Sequence, residues 1–467
     1  MDGLEYSEIL FSQIDLGDRF DSDYYTKNYL HISDQMSKVL TEKLGKLATA
    51  VASAFYPAAT QLYSEGDTAF ARCVDCVSYP VITKDQDSKF EKIPYTFGKK
   101  NKGISFIKTE DIIITKVGTP CYASILTDYD EIALSRTVMG LTGIHGIDPY
   151  YLMVFLRCKY GFEQLFRQRE LTIQYQLTLP RVKAVDVFLA DDKLQKAVNR
   201  LCGKSREFQK NSNEAYQFAE QTLMEIVKCP DFSAFGTHSI KSINESFTLS
   251  GRLDAEYYQP KYELVTQGLN TSETVLSLCN LHDKTFVPKD KELYLYIELA
   301  DVGQTGDIST VDTQYGADLP TRARRIVKSG QIIVSSVEGS LQSCALITDE
   351  YDGALCSNGF YVLDSDCINS ETLLVLFKSE PIQALMKQRC SGTILTAISK
   401  DELLSMPLPM IDDDIQEEIA AKVQEAFTLR KQSKQLLEYA KQAVEMAIEQ
   451  GEDVALKWLK DKVNLSV

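Results

Sequence analysis

The sequence predicts an α+β protein: two tandem α/β globules, each followed by a long helix, with the two helices packing as an antiparallel coiled coil. Three observations predict this. The chain repeats short blocks at a nearly constant offset. Each copy ends in a proline-free stretch with heptad spacing. The rest of each copy mixes β-branched runs with apolar residues at helical spacing.

The repeat comes first. Leu16-Gly-Asp-Arg19-Phe-Asp21-Ser-Asp-Tyr24-Tyr25 returns as Leu249-Ser-Gly-Arg252-Leu-Asp254-Ala-Glu-Tyr257-Tyr258, an offset of 233. Ile112-Ile113-Ile114 with Val117 returns as Ile332-Ile333-Val334 with Val337, an offset of 220. At that same offset, Leu165-Phe-Arg167-Gln168-Arg169 matches Leu385-Met-Lys387-Gln388-Arg389. Thr172-Ile173 matches Thr393-Ile394, and Asp191-Asp-Lys-Leu194-Gln195 matches Asp412-Asp-Asp-Ile415-Gln416, both at 221. The blocks keep order as well as spacing, which chance matches between apolar strings do not. The middles, about 50–110 and 275–330, do not match.

Each copy then closes in a helix. Positions 194, 198, 201, 205, 208, 212, 215, 219, 222 and 226 follow a 4-3-4-3 seam. Adding 221 gives a second seam from Ile415 through Ile419, Lys422, Ala426, Leu429, Ser433, Leu436, Ala440 and Ala443 to Ala447. Asp191 or Asp192, and the run Asp412–Asp414, suit helix starts. Pro230 suits the end of the first helix. Each helix spans about 36 residues, or about 54 Å. Seams rich in Ala and Ser suit two helices of one chain packing closely together. Packing of each helix on its own globule is the alternative.

Within the globules, Ile112–Val117, Ile332–Val337 and Glu292–Val302 read as strands. Pro149–Gln168 and Ser370–Gln388 read as helices, from Leu152, Phe155 and Leu156 and from Leu373, Leu376 and Phe377.

Composition bounds the function. The 467 residues suffice for two or three domains, and 44% hydrophobic content is ordinary for a soluble globular chain. No apolar run reaches the ~18 residues that span a bilayer. The first residues, MDGLEYSEILFSQIDLGDRF, carry acids where a signal peptide needs a basic flank, so a cytoplasmic location is expected. Eleven scattered cysteines fit reduced thiols packed as small hydrophobes. Cys73 and Cys76 form one C-x2-C, with none of His31, His145, His238 or His282 nearby, so no metal site is expected. A net charge of −16 argues against a general polyanion binder.

No catalytic constellation emerges. Gly203-Lys204-Ser205 lacks the earlier glycine of a phosphate loop and sits in the helical seam. Asp148-Pro149-Tyr150-Tyr151 resembles the acidic-aromatic tetrad of adenine methyltransferases but lacks its second proline. No glycine-rich turn for a methyl donor precedes it. A helix N-cap with proline in the first turn is the favoured role. Asp412–Asp414 reads as a solvated helix start rather than a metal site. The chain reads as non-catalytic, needing no cofactor of its own.

In so acidic a chain, basic clusters stand out as DNA-contact candidates. Lys99, Lys100 and Lys102 precede the Ile112 strand, and Arg322, Arg324, Arg325 and Lys328 precede the Ile332 strand. The triplets Arg167-Gln168-Arg169 and Lys387-Gln388-Arg389 form the second set. Arginine suits bidentate contacts to guanine or phosphate, and glutamine to adenine. A cation at a helix C-terminus is the plainer reading of any single one.

Arg252-Leu-Asp-Ala-Glu-Tyr-Tyr-Gln-Pro, and Ser391-Gly-Thr-Ile-Leu-Thr-Ala-Ile-Ser399-Lys-Asp-Glu-Leu-Leu-Ser-Met-Pro407-Leu-Pro409 followed by a helix opening with Gln416, resemble the specificity subunits of type I restriction-modification systems. The first half keeps the pattern more weakly: Pro180 is displaced, and Phe188-Leu189 stands for a proline pair. Met410-Ile411 departs from that family's double proline too. The resemblance implies two target-recognition domains, 1–190 and 231–410, each reading half of a split double-stranded DNA site. Residues 191–230 and 411–467 would be a central spacer helix and a C-terminal spacer helix with its tail. It further implies two docked methyltransferase subunits, which bind S-adenosylmethionine and methylate adenine, and room for motor-nuclease subunits. The competing expectation is a coiled-coil adaptor that binds protein and no DNA. A third is a degenerate methyltransferase using Asp148–Tyr151.

Overall fold

The computed structural model describes residues 6–11, 14, 19, 21–54, 66–170, 175–227, 238–303, 305–309, 311–392 and 396–463. Leu16, Gly17, Asp18 and Phe20, the pairs Thr172-Ile173 and Thr393-Ile394, and Pro230 lie outside the described residues. The chain forms two compact units, residues 1–210 with 431–467, and residues 211–430. Each unit takes one half of each long helix, Asp192–Ile226 and Asp413–Gln450.

In unit 1, one sheet has the order Thr49–Ala52, Val138–Thr142, Ile112–Thr115, Ala123–Leu126, Val81–Ile82. A second has the order Glu91–Ile93, Thr68–Ala71, Ile132–Leu134, Phe106–Ile107. Ile113, Leu126, Ile132 and Leu134 help fill the core that joins them. The opposite face, with Ile112 and Ile114, packs on Leu152, Phe155 and Leu156. Both faces of the Ile112 strand are therefore buried, which is why it reads as a continuous apolar run.

Unit 2 repeats this plan. Its first sheet has the order Asn280–Leu281, Phe360–Asp364, Ile332–Ser335, Cys344–Leu346. Its second has the order Thr313–Tyr315, Leu293–Ile297, Leu355–Ser357, Ala323–Ile326. In both second sheets the central pair is parallel and the outer pairs antiparallel. The unmatched middles thus share topology without sharing sequence. Strand order needs only alternating burial, which many side chains satisfy.

The expected single helices at Pro149–Gln168 and Ser370–Gln388 are each two. Pro149–Arg157 and Lys159–Arg167 break at Cys158, and Ser370–Lys378 and Glu380–Arg389 break at Ser379. Both breaking residues are extended, with ψ of 165° and 146°. The corner in unit 1 is so tight that a Cβ on Gly161 would lie 2.0 Å from the Phe155 carbonyl oxygen. Apolar spacing runs unbroken through both corners, so periodicity alone misses them.

The long helices run antiparallel within each unit. In unit 1, Ser205 Oγ donates to the Ser433 carbonyl at 3.0 Å and Ser433 Oγ donates back to the Ser205 carbonyl at 2.8 Å. In unit 2, Ser212 Oγ donates to the Ala426 carbonyl at 2.8 Å. Partner numbers sum to 638 in both places, as antiparallel pairing requires. Small residues at these points let the backbones approach. The expected seam drifts: Leu223 and Val227 are buried where heptad spacing predicts Thr222 and Ile226, and Ile226 is 39% exposed. Val423 and Arg430 likewise replace Lys422 and Leu429. A helix gains about 20° per heptad on a strict seven-residue repeat, and these helices also face their own globules.

Among the described residues, no helix is long and apolar enough to cross a membrane.

Candidate nucleic-acid interface

The repeated Arg-x-Asp-x-x-Tyr-Tyr motif is a latch, built the same way twice. The Arg19 guanidinium pairs with Asp21 at 2.6 Å and lies 4.7 Å from the Tyr24 ring centre. Arg252 pairs with Asp254 at 2.7 Å and lies 4.4 Å from the Tyr257 ring. Tyr25 Oη donates to the Arg19 carbonyl, and Tyr258 Oη to the Arg252 carbonyl. Each arginine then donates to the chain at or just past the end of the inner helix: Arg19 to the Arg169 carbonyl, Arg252 to the Arg389 and Cys390 carbonyls. These contacts fasten the start of each repeat to its globule.

The two triplets meet this latch. Arg167 Nε donates to the Tyr24 carbonyl at 2.7 Å, and its guanidinium lies 4.0 Å from the Tyr24 ring. Gln168 donates to Tyr24 Oη at 3.3 Å. Arg169 Nε donates to the Phe166 carbonyl, with its guanidinium 4.3 Å from Tyr175. In unit 2, Gln388 donates to the Tyr257 carbonyl at 2.9 Å, and Arg389 to the Leu385 carbonyl and to Gln388 Oε1. Lys387 is exposed. The residue occupying the place of Arg167 is thus Gln388, at an offset of 221. The sequence match of the triplets at 220 is one residue out of register with the contacts. Burial lowers the pKa of both Arg167 and Arg389.

The other clusters sit elsewhere, on or ahead of the outer strand of the second sheet. Lys99 and Lys100 end the helix Tyr95–Lys100, and Lys102 follows, ahead of the edge strand Phe106–Ile107. Lys99 pairs with Glu131 at 2.5 Å and lies 4.0 Å from the Phe106 ring. Lys100 and Lys102 are exposed. In unit 2, Arg322 precedes the edge strand Ala323–Ile326, Arg324 and Arg325 lie on it, and Lys328 follows. Arg322 pairs with Glu298 at 2.8 Å. Arg324 donates to the Thr321 carbonyl, and the Arg325 guanidinium lies 5.3 Å from the Tyr361 ring. The arginines lie on their outer strand, whereas the lysines lie on and after the helix that leads into the equivalent outer strand, where Lys99 meets Phe106.

A third repeated device is one the sequence motifs do not announce. Gln195 Oε1 accepts from the Asp148 amide at 2.8 Å while its Nε2 donates to the Ala190 carbonyl. Gln416 Oε1 accepts from the Asn369 amide at 2.7 Å while its Nε2 donates to the Cys367 and Ile411 carbonyls. Each glutamine clamps the first turn of a long helix to the N-cap of an inner helix. The match of Gln195 with Gln416 in the repeat is the signal that could have found it. Asp148 is that N-cap: one carboxylate oxygen accepts from the Tyr151 amide at 3.0 Å, the other from Asn199 at 2.6 Å. Tyr151 is fully buried, with its hydroxyl on the Phe188 carbonyl. Both side chains are taken up by the fold, so Asp148 serves as a helix cap. Ser205 of the phosphate-loop-like triplet is buried in the coil. Cys76 is fully buried, which drives its thiol pKa well up, and the Cys73 thiol donates to the Thr119 carbonyl.

The latch has a pH signature. Hydrogen bonds from Arg19 and Arg252 hold Asp21 and Asp254 below the usual carboxylate range. Groups with lowered folded-state pKa values stabilise above their unfolded pKa and lose that contribution as pH falls through the folded value. Thermal melts between pH 7 and pH 3 should therefore fall less steeply for Asp21→Asn with Asp254→Asn than for the wild type. Parallel curves would remove the latch from acid stability.

No protein-family model matches the chain, and no curated protein matches it. Solved structures do. The chain is similar to the S subunit of a type I restriction-modification system from M. genitalium, at 12% identity over 90% of this chain and 95% of that one, with a TM-score of 0.36. It is similar to the HsdS subunit from Thermoanaerobacter tengcongensis, at 13% identity over 89% and 96%, with a TM-score of 0.26. The type IIG restriction endonuclease BpuSI matches 38% of this chain and 28% of its own, at 11% identity and a TM-score of 0.30.

Proposed function

We propose that this chain is the DNA-reading specificity subunit of a type I restriction-modification methyltransferase. The observation that carries the proposal is the duplicated two-sheet globule with unlike basic clusters, each copy clamped to its half of an antiparallel helix pair. In this reading each globule reads one half of a bipartite duplex target. The clusters of Lys99, Lys100 and Lys102, and of Arg322, Arg324, Arg325 and Lys328, supply the first contacts. Arg167, Gln168, Arg169, Gln388 and Arg389 act chiefly by fixing the globules, with Lys387 left for phosphate.

The chain performs no chemistry itself. Two methyltransferase subunits carry S-adenosylmethionine and methylate adenine, and motor-nuclease subunits join them in the cytoplasm. Repetition suits this, because a doubled module offers like surfaces to two like partners. A net charge of −16 fits partners that supply much of the phosphate grip.

The test is salt-dependent DNA binding by the chain assembled with its methyltransferase. Arg322→Ala, Arg324→Ala and Arg325→Ala together should weaken binding. They should also flatten the log K against log salt slope by about one for each phosphate no longer neutralised. Unchanged affinity and slope would favour the protein-only adaptor.

A further inference from the structure

Unit 2 holds a groove of about 660 Å³ between the first long helix and the inner helices. Leu223, Leu341 and Val375 give it an apolar floor. Lys378, 6% exposed, lies in that floor and donates to the Gln342 carbonyl at 2.7 Å. Around the rim stand Glu220, Glu338 and Glu380, whose carboxylates have no hydrogen-bond or ion-pair partner among the described residues. Burial already holds Glu220 above the usual carboxylate range. Lys387 is the one exposed cation among the lining residues.

The equivalent place in unit 1 carries aromatic side chains. Counting from the matching corners Cys158 and Ser379, Phe162 stands where unit 2 has Gln383, and Phe166 where it has Lys387. Phe162 stacks on Phe166 and meets Tyr122 edge-on, with ring centres 5.6 Å apart in each pair. The Arg157 guanidinium, which burial lowers to a pKa of about 10, lies 5.6 Å from the Tyr122 ring. One scaffold therefore carries half-buried phenylalanines in one copy where the other has Gln383 and Lys387.

We propose that the unit 2 groove is a docking site for a basic amphipathic segment of a partner protein, its aliphatic side chains on the apolar floor and its lysines or arginines against Glu220, Glu338 and Glu380. Charge decides the choice of occupant: three unpaired rim carboxylates over apolar surface favour cations joined to aliphatic groups. Two copies of one partner then meet unlike surfaces on the two halves, and only the copy at unit 2 engages this groove. The pairing of two partner copies rests on the proposed function, whereas the groove and its occupant do not depend on DNA reading.

The test uses the full chain and a fluorescein-labelled amphipathic peptide of leucine and lysine, about four turns long. Its counterpart has glutamate for lysine. Anisotropy should show binding of the lysine peptide alone. The Kd should rise about tenfold in the triple variant Glu220→Gln, Glu338→Gln, Glu380→Gln. It should rise similarly in Gln383→Phe, which puts a ring where unit 1 has Phe162. The control triple Asp412→Asn, Asp413→Asn, Asp414→Asn removes equal charge elsewhere and should leave Kd unchanged. Equal weakening by both triples would mean general attraction to an acidic chain and overturn the proposal. So would unaltered binding by the groove triple, or binding of the glutamate peptide. The assay contains no DNA, so its failure leaves the DNA-reading proposal standing.

Discussion

Arg430→Ala is expected to destabilise unit 2 by about 3–5 kcal/mol. The Arg430 side chain is 7% exposed, in the middle of the second long helix. It pairs with Asp307 at 2.9 Å, donates to Thr305, and donates to Ser212 Oγ at 3.1 Å. Ser212 is itself the contact that draws the first long helix against Ala426. Removing the guanidinium leaves Asp307 charged and mostly buried, and takes a hydrogen bond from the helix crossing. The loss is that of a broken buried pair, not the worth of an intact one. Arg430→Met with Asp307→Leu should therefore recover most of the stability, because it removes both charges. Urea unfolding followed by hydrogen exchange at residues 211–226 measures both variants. A cost below about 1 kcal/mol for Arg430→Ala would show that water or a neighbouring group already screens Asp307.

The glutamine clamps should come next. Gln416→Leu keeps the volume and removes every polar contact. It strands the Asn369 amide and the Cys367 and Ile411 carbonyls, all served by one side chain that is 4% exposed. At about 1–3 kcal/mol for each buried group left unsatisfied, partly offset by relaxation, a loss of about 2–4 kcal/mol is expected. Gln195→Leu strands only the Asp148 amide and the Ala190 carbonyl, from a less buried position, and should cost less. Gln416→Glu retains an acceptor for the Asn369 amide but no donor, and should fall between wild type and Gln416→Leu. The ranking Gln416→Leu, then Gln416→Glu, then wild type in denaturation midpoint is the check. Equal midpoints for leucine and glutamate would assign the effect to packing.

Much of this architecture is legible in the sequence because it is duplicated. The Ile112 and Ile332 strands, the inner helices and the two long helices all lie near their expected places. Other features need partners far away in sequence. Arg430 looks like a surface residue until Asp307, 123 positions earlier, is brought against it. Cys158 and Ser379 break helices whose apolar spacing never falters. The triplets match in letters at one register and in contacts at the next, because Arg167 and Gln388 both reach a tyrosine carbonyl by different chemistry. The basic clusters are legible as charge in an acidic chain. That one lies on an outer strand and the other ahead of the equivalent strand is not, since their middles share no sequence.

The central claim is that two globules read two halves of one target independently. Its most direct measurement is methylome sequencing of cells in which residues 50–180 are replaced by the corresponding stretch from a chain of different specificity. Independent reading predicts that one half of the methylated sequence changes, while the other half and the spacing between them stay as they were. Alteration of both halves, or of neither, would contradict it.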